Sequence, residues 1–345
     1  MLNYNISVRK HYPLDYKIFH NFESEALKNS RGKAYPWRFP FCDILLYKYN
    51  KSSDVFELRS ESGRRWFPSL YHDVSLHSKF GGANRTYLHT FGSSQMRVAL
   101  DAQKVLSLSR EDLFVTTKLA PGNEAWGQTL KTYDSTIASL NSSLTNLDLD
   151  YVDLYLIHAP FAKSKRLEQW NALVELRKQG KVRAIGVSNF NKSHIEEIKS
   201  AGLPIPDANQ IELHPWSQKS ELVSYLRDNG IIPIAYSSLV PLAERRAKEG
   251  QESSKTEKMK SDGADRYSPF RVMAKKYFVT EAQVLLRWGV QKGYPVLPKS
   301  TNEERIRLNM DLFSFEIDNG DMSAIEDMDR GGGIAWASGD PLLAP

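Results

Sequence analysis

From residue 113 onward, short apolar runs, each closed by a polar residue, alternate with stretches in which apolar side chains return every three or four positions. The runs are LFVTTKL (113 to 119), YVDLYLIH (151 to 158), VRAIGVSNF (182 to 190), ANQIELHP (208 to 215), IIPIAYSSL (231 to 239) and YPVLPKS (294 to 300). They are rich in Val, Ile, Leu and Tyr and too short for ordinary helices, which predicts six buried strands. Between the first two, Leu130, Tyr133, Ile137, Leu140, Leu144 and Leu147 trace one helical face. Later gaps carry EQWNALVELRKQGK, KSHIEEIKSAG and SELVSYLRDNG, helical patterns that stop at or near glycine. Strands alternating with helices predict β/α units and a parallel sheet. Eight such units close a barrel of ~250 residues, so the expected fold is α/β, of the (β/α)8 TIM-barrel type, incomplete, with six recognisable units. An open doubly wound sheet is the rival, but no G-x-G-x-x-G phosphate fingerprint follows a strand.

The first 95 residues do not share this rhythm. There DILLYKY, an asparagine-bearing turn and VFELRS predict a β-hairpin, which is antiparallel and unlike the β/α units downstream. The chain thus divides into an atypical segment, 1 to 95, and a barrel-like part, 96 to 345. With two barrel strands missing, the strands at 113 and 294 lack neighbours, and unpaired edges invite aggregation; residues 40 to 60 are expected to cover the gap.

Composition narrows the function. The hydrophobic fraction of 41% suffices for a core, and the net charge of +5 is too diffuse for a nucleic-acid surface, though suited to an anionic cofactor. A single cysteine, Cys42, excludes an internal disulfide. No stretch has 18 consecutive apolar residues and the start lacks an apolar leader, so a soluble cytoplasmic protein without membrane contact is expected.

In a barrel the strand ends converge on one face. Lys118, His158, Ser188 with Asn189, Gln210, Tyr236, and Lys299 with Ser300 would then line one cavity. Any one of them has a structural reading; His158 taken alone reads first as a hydrogen-bonded core histidine.

LFVTTKL, LDYVDLYLIHAP, GKVRAIGVSNF, NQIELHP, IPIAYSSL and VLPKSTNEERIRLN resemble, in unbroken order, the strand motifs of the aldo-keto reductases, over roughly residues 96 to 340. The resemblance implies an NADP(H)-dependent oxidoreductase that acts on small aldehydes or ketones. It places His158 and Lys118 at the family's active-site histidine and lysine, and Ser188, Asn189 and Gln210 where the nicotinamide carboxamide is held. Tyr236, followed by Ser237, matches the ring that stacks on the nicotinamide. Lys299, Ser300, Arg305 and Asn309 match positions around the 2′-phosphate and adenine, while Leu308 departs from a position that is often acidic. These residue types suit such a ligand, since amides and hydroxyls fix a carboxamide and cations meet a phosphate. No metal site is implied.

The same resemblance implies a catalytic tyrosine and an aspartate upstream of LFVTTKL. Aligning Phe91-Gly92 with the family's Tyr-Gly puts Phe91 at the proton donor and Thr86 at the aspartate. Neither side chain can serve. Tyr87 is the nearest phenol and the candidate replacement. The expected function is accordingly an NADP(H)-dependent reductase with impaired turnover, or else a cofactor-binding or structural descendant without turnover.

Residues 38 to 92 resemble the carboxyl part of LicD/fukutin-like phosphotransferases, through FCDILLYKY, RRWFPSLY and YLHTFG. That chemistry needs an acidic metal cluster, and Asp43 alone cannot make one. The charged run 244 to 268 reads as a solvated loop in which Arg245, Arg246 and Lys248 are candidates for cofactor phosphate. His214 reads as a capping or core residue. Of the seven tryptophans, Trp126 alone is placed near the substrate mouth.

Overall fold

The computed structural model describes residues 67–70, 110, 113–242, 268–300, 302–336 and 339–345. Its strands are β1 (Phe67–Leu70), β2 (Leu113–Leu119), β3 (Val152–Ile157), β4 (Val182–Ser188), β5 (Ala208–Glu212) and β6 (Ile232–Tyr236). They lie side by side in chain order, every neighbouring pair parallel. Helices α1 (Tyr133–Leu147), α2 (Arg166–Lys178), α3 (Lys192–Ser200) and α4 (Ser220–Asp228) make the successive crossovers from β2 to β6. Four more helices come after them: α5 (Pro269–Tyr277), α6 (Glu281–Gln291), α7 (Glu303–Met310) and α8 (Asn319–Glu326). Strands β2 to β6 curl into half of a barrel. Among the described residues, no helix is long and apolar enough to cross a membrane.

The helices start where their caps allow. The face that begins at Leu130 in the sequence becomes helical only at Tyr133, because Thr132 and Ser135 form a reciprocal capping box. Leu140, Leu144 and Leu147 then face the sheet. Helix α2 stops before Gly180, whose φ of 73° is a left-handed conformation that glycine takes without steric cost.

The period of two divides each strand between two cores. Tyr155, Ile157, Ile185, Val187, Ile211 and Ala235 join the layer between sheet and helices. Leu154, Leu156, Ala184, Ala208, Ile232 and Ile234 form the inner face, with Phe114 and Leu297 packed on it. Gly186 lies on that inner face. A Cβ there would stand 2.5 Å from the Ala208 carbonyl oxygen and 2.7 Å from Leu156 Cδ2, so the curl requires glycine.

Two expectations are corrected at the sheet's edges. The sixth expected strand, 294 to 300, is reduced to one parallel bridge, Ala235 with Val296. Pro295 and Pro298 lack the N–H groups that a ladder needs, and Pro295 contributes only its carbonyl, accepting from the Ala235 amide at 2.8 Å. At the other edge, β2 is flanked by β1, with Phe67 level with Leu113 and Leu70 with Val115. Pro68 suits such an edge position. Residues 40 to 60, expected to cover this flank, and the hairpin lie outside the described residues, as does most of the 38 to 92 segment.

Candidate active site

Lys118, His158, Ser188, Gln210 and Tyr236 all share parity with the inner-face residues of their strands, namely Phe114, Leu156, Gly186, Ala208 and Ile234. Ser188 and Tyr236 end their strands, Lys118 is one residue before the end of its strand, His158 one residue past, and Gln210 sits mid-strand, two residues before Glu212. The register fixes their depth: Lys118 is level with Leu156, Ser188 with Gln210, and Glu212 with Tyr236. His158 therefore stands two residues, roughly 6.6 Å of strand rise, above the level of Lys118. Main-chain bonds hold the rim, with His158 N donating to the Leu119 carbonyl at 3.0 Å and Asn189 N to the Gln210 carbonyl at 3.0 Å.

A continuous hydrogen-bond chain crosses these strand ends. The Ser188 hydroxyl donates to the Gln210 carbonyl at 2.8 Å. The Asn189 amide nitrogen donates to the His158 carbonyl at 3.1 Å and to Ser188 Oγ at 3.2 Å. Tyr236 donates from its hydroxyl to Asn189 Oδ1 at 2.7 Å, and Trp336 Nε1 donates to that hydroxyl at 2.9 Å. Asn189 and Ser237 carry positive φ values of 61° and 58°. Non-glycine residues seldom adopt that region, and such strain gathers at functional sites. Gln210 Oε1 is buried with no hydrogen-bond partner among the described residues.

Trp336 was not expected here, so placing Trp126 alone at the mouth is corrected. The indole of Trp336 lies 5.8 Å from the His158 ring and 5.7 Å, edge-on, from Phe161; Phe161 in turn is 6.2 Å from the half-exposed Trp126. The three rings follow one another in a row beside His158. The chain after α8 brings Trp336 here and is pinned on both sides of it. Buried Glu212 accepts from Ile334 N at 2.8 Å and Ala335 N at 3.0 Å. Asp340 pairs with Lys219 at 3.0 Å, Asn191 Nδ2 donates to the Leu342 carbonyl at 2.8 Å, and Arg166 to that of Pro345 at 2.7 Å.

Charge is scarce inside. Burial holds the Lys118 ammonium well below the usual lysine range. His158 is likewise depressed, first by burial and then by the positive charge of Lys118. Both therefore favour their neutral forms. Burial pushes the Glu212 carboxyl up, but the hydrogen bonds from His214 and from Ile334 N and Ala335 N outweigh it, so Glu212 is held below its ordinary value. His214 is a buried core residue whose Nε2 lies 2.8 Å from Glu212 Oε1 and whose Nδ1 accepts from Trp216 N at 3.3 Å.

The tail's anchoring carries a pH signature. His194 accepts at Nδ1 from Asn191 N, at 3.1 Å, and its Nε2 lies 3.0 Å from the Ala344 carbonyl, an arrangement that suits the neutral Nε2–H ring. Burial, then the charge of Arg166, lower its pKa from 6.5 to about 4. The unfolded chain therefore binds the extra proton between those values, so His194 makes stability rise with pH across that window and fall on acidification. His194→Gln is expected to lose less thermal stability than the native chain between pH 7 and pH 4.5. An equal loss would show that the ring does not titrate in this way.

Of the positions matched to the 2′-phosphate and adenine, Lys299, Ser300 and Arg305 lie at the start of α7 and Asn309 near its end. Asn302 caps that helix through Arg305 N at 3.0 Å, Arg305 Nε reaches Ser300 Oγ at 3.3 Å, Lys299 is exposed one residue before, and Asn309 is buried. Tyr87, Thr86, Phe91, Arg245, Arg246 and Lys248 lie outside the described residues. Among the described residues, no three His, Cys, Asp or Glu side chains group so as to hold a metal ion.

Known proteins share this architecture. A sequence model of the Aldo/keto reductase family matches residues 92–330. An uncharacterised oxidoreductase of Bacillus subtilis is 38% identical over 219 residues, covering 64% of this chain and 68% of that one. Glyoxal reductase of the same organism is 37% identical over 227 residues, covering 66% and 72%. A crystal structure of a Bombyx mori aldo-keto reductase in complex with NADP superposes with a TM-score of 0.61 at 31% identity, covering 74% of this chain and 80% of that one.

Proposed function

The chain belongs to the aldo/keto reductase family, and from that premise we propose that it binds NADP(H) at the carboxyl edge of its half-barrel and acts only feebly on small carbonyl compounds. The observation that carries this reading is Gln210 Oε1, a buried acceptor left without a partner beside Asn189 and Tyr236. An orphaned buried acceptor costs about 1 to 3 kcal/mol, a cost that a ligand N–H placed against Gln210 would relieve. A carboxamide N–H meets that need, and a flat pyridine ring suits the Tyr236 face.

Bound NADPH would supply hydride; the chain supplies position and exclusion of water. Ser188, Asn189 and Gln210 would hold the carboxamide, Tyr236 with Ser237 the ring, and Lys299, Ser300, Arg305 and Asn309 the 2′-phosphate and adenine. Trp126, Phe161 and Trp336 shield a carbonyl placed near His158 from water. Neutral His158 can donate a hydrogen bond to a carbonyl oxygen but holds no surplus proton for it. The Bacillus relative is named for glyoxal, and a compact carbonyl of that kind is the proposed substrate class.

The phosphate assignment is separable from the rest. Charge-assisted hydrogen bonds contribute about 1.5 to 3 kcal/mol, so Arg305→Ala should weaken NADPH binding roughly 10- to 150-fold. NADH binding, read by the same fluorescence titration, should hardly change. Equal weakening of both nucleotides, or no preference for NADPH in the native chain, would refute this assignment.

A further inference from the structure

Lys118 is the one member of the strand-end set to which the cofactor reading gives no task. It stands one residue before the end of β2, level with Leu156 of β3 and on the same inner face as Phe114, four residues earlier. The floor beneath it is apolar, built from Leu154, Leu156 and Ala184 with Phe114 packed on them. His158 follows the last residue of β3, one layer higher, with its ring 5.8 Å from that of Trp336. Lys118 and His158 are both half-buried, so the strand ends they occupy are not sealed. A primary amine is thus set in apolar surroundings, one layer below the place proposed for a substrate carbonyl. Such surroundings oppose the ammonium form and hold Lys118 well below the usual lysine range. A neutral amine keeps its lone pair, and desolvation of this kind is one way in which lysines become nucleophiles.

We infer that Lys118 captures small aldehydes and dicarbonyls as a reversible imine. The Nζ lone pair adds to the carbonyl carbon, one N–H proton passes to the carbonyl oxygen, and a carbinolamine forms. Its hydroxyl then leaves with the second N–H proton as water, and a C=N bond remains; nothing is oxidised or reduced. His158, which can donate a hydrogen bond to the carbonyl oxygen, polarises the carbonyl toward attack. This capture rests on the same reading of the mouth as a carbonyl site and needs no nucleotide. An aldehyde that is not reduced here is held, and returned on hydrolysis.

The test treats the full chain, without nucleotide, with propanal and cyanoborohydride, which reduces each imine to a stable propylamine that peptide mass spectrometry locates. A solvated lysine, with a pKa near 10.4, is neutral to about one part in 10³ at pH 7. Lys118 should therefore be labelled roughly 10-fold or more faster at pH 7 than the exposed Lys163, Lys178 and Lys275. That lead should shrink toward pH 9, because the exposed amines gain about 10-fold in neutral form with each pH unit. In guanidinium chloride it should vanish. Labelling of Lys118 no faster than that of the exposed lysines, or a lead that survives denaturation, overturns the inference. NADPH titration of the same sample separates it from the cofactor reading. A lead at Lys118 without saturable NADPH binding upholds the capture and overturns the cofactor site; saturable binding without the lead does the reverse.

Discussion

Assayed beside the glyoxal reductase of Bacillus subtilis under the same conditions, this protein is expected to reduce small aldehydes and dicarbonyls with NADPH about 10²- to 10⁴-fold more slowly, the usual contribution of a positioned general acid. Three features converge on that result. The proposed alignment puts Phe91, which has no proton to give, in place of the family's tyrosine. Burial holds Lys118 toward its neutral amine. The same burial shifts His158 toward its neutral ring. Among the described residues, a carbonyl oxygen that gains negative charge as hydride arrives would find hydrogen-bond donors but no ready acid. Turnover equal to the relative's and abolished by Tyr87→Phe would show that Tyr87 is the acid and the enzyme is intact. Equal turnover untouched by that change would place the donor elsewhere.

Asp153→Ala is expected to destabilise the fold by about 3 to 5 kcal/mol, the usual result of removing one partner from a buried ion pair. Asp153 lies near the amino end of β3, on the opposite edge from the site. One carboxylate oxygen accepts from Val115 N at 2.8 Å and Arg110 at 2.7 Å, the other from Arg183 at 3.1 Å. A single buried acid thus ties β2, β3 and β4 together, and its loss leaves a buried backbone N–H and a largely buried guanidinium without this partner. Arg183→Ala, which removes a half-exposed cation, should cost no more than about 1 kcal/mol. Urea midpoints of the two variants measure the contrast. Equal, small losses would show that the sheet does not depend on this acid.

Strands β2 to β6 were legible because each alternates across two buried faces and ends in a polar residue of the same parity. That is why Lys118, His158, Ser188, Gln210 and Tyr236 emerged from the sequence as one set, and why the structure finds their strand ends together. Residues 294 to 300 have the apolar content of a strand, but Pro295 and Pro298 lack the N–H groups that a ladder needs. Asp153 carried a signal, a lone acid within an apolar run, that went unread. Trp336 and Glu212 left none: the tail follows no period, and Glu212 binds main-chain N–H groups of residues 334 and 335, which no side chain there reveals. The His158 main chain is bonded to Leu119, and its ring lies 5.8 Å from that of Trp336.

Whether this half-barrel keeps a cofactor site while its chemistry is impaired is met most directly by titrating NADPH against the purified full chain and following nucleotide fluorescence. Saturable binding is expected, tighter for NADPH than for NADH, with a fluorescence signal that barely decays when glyoxal is added. Absence of saturable binding would contradict the retained site.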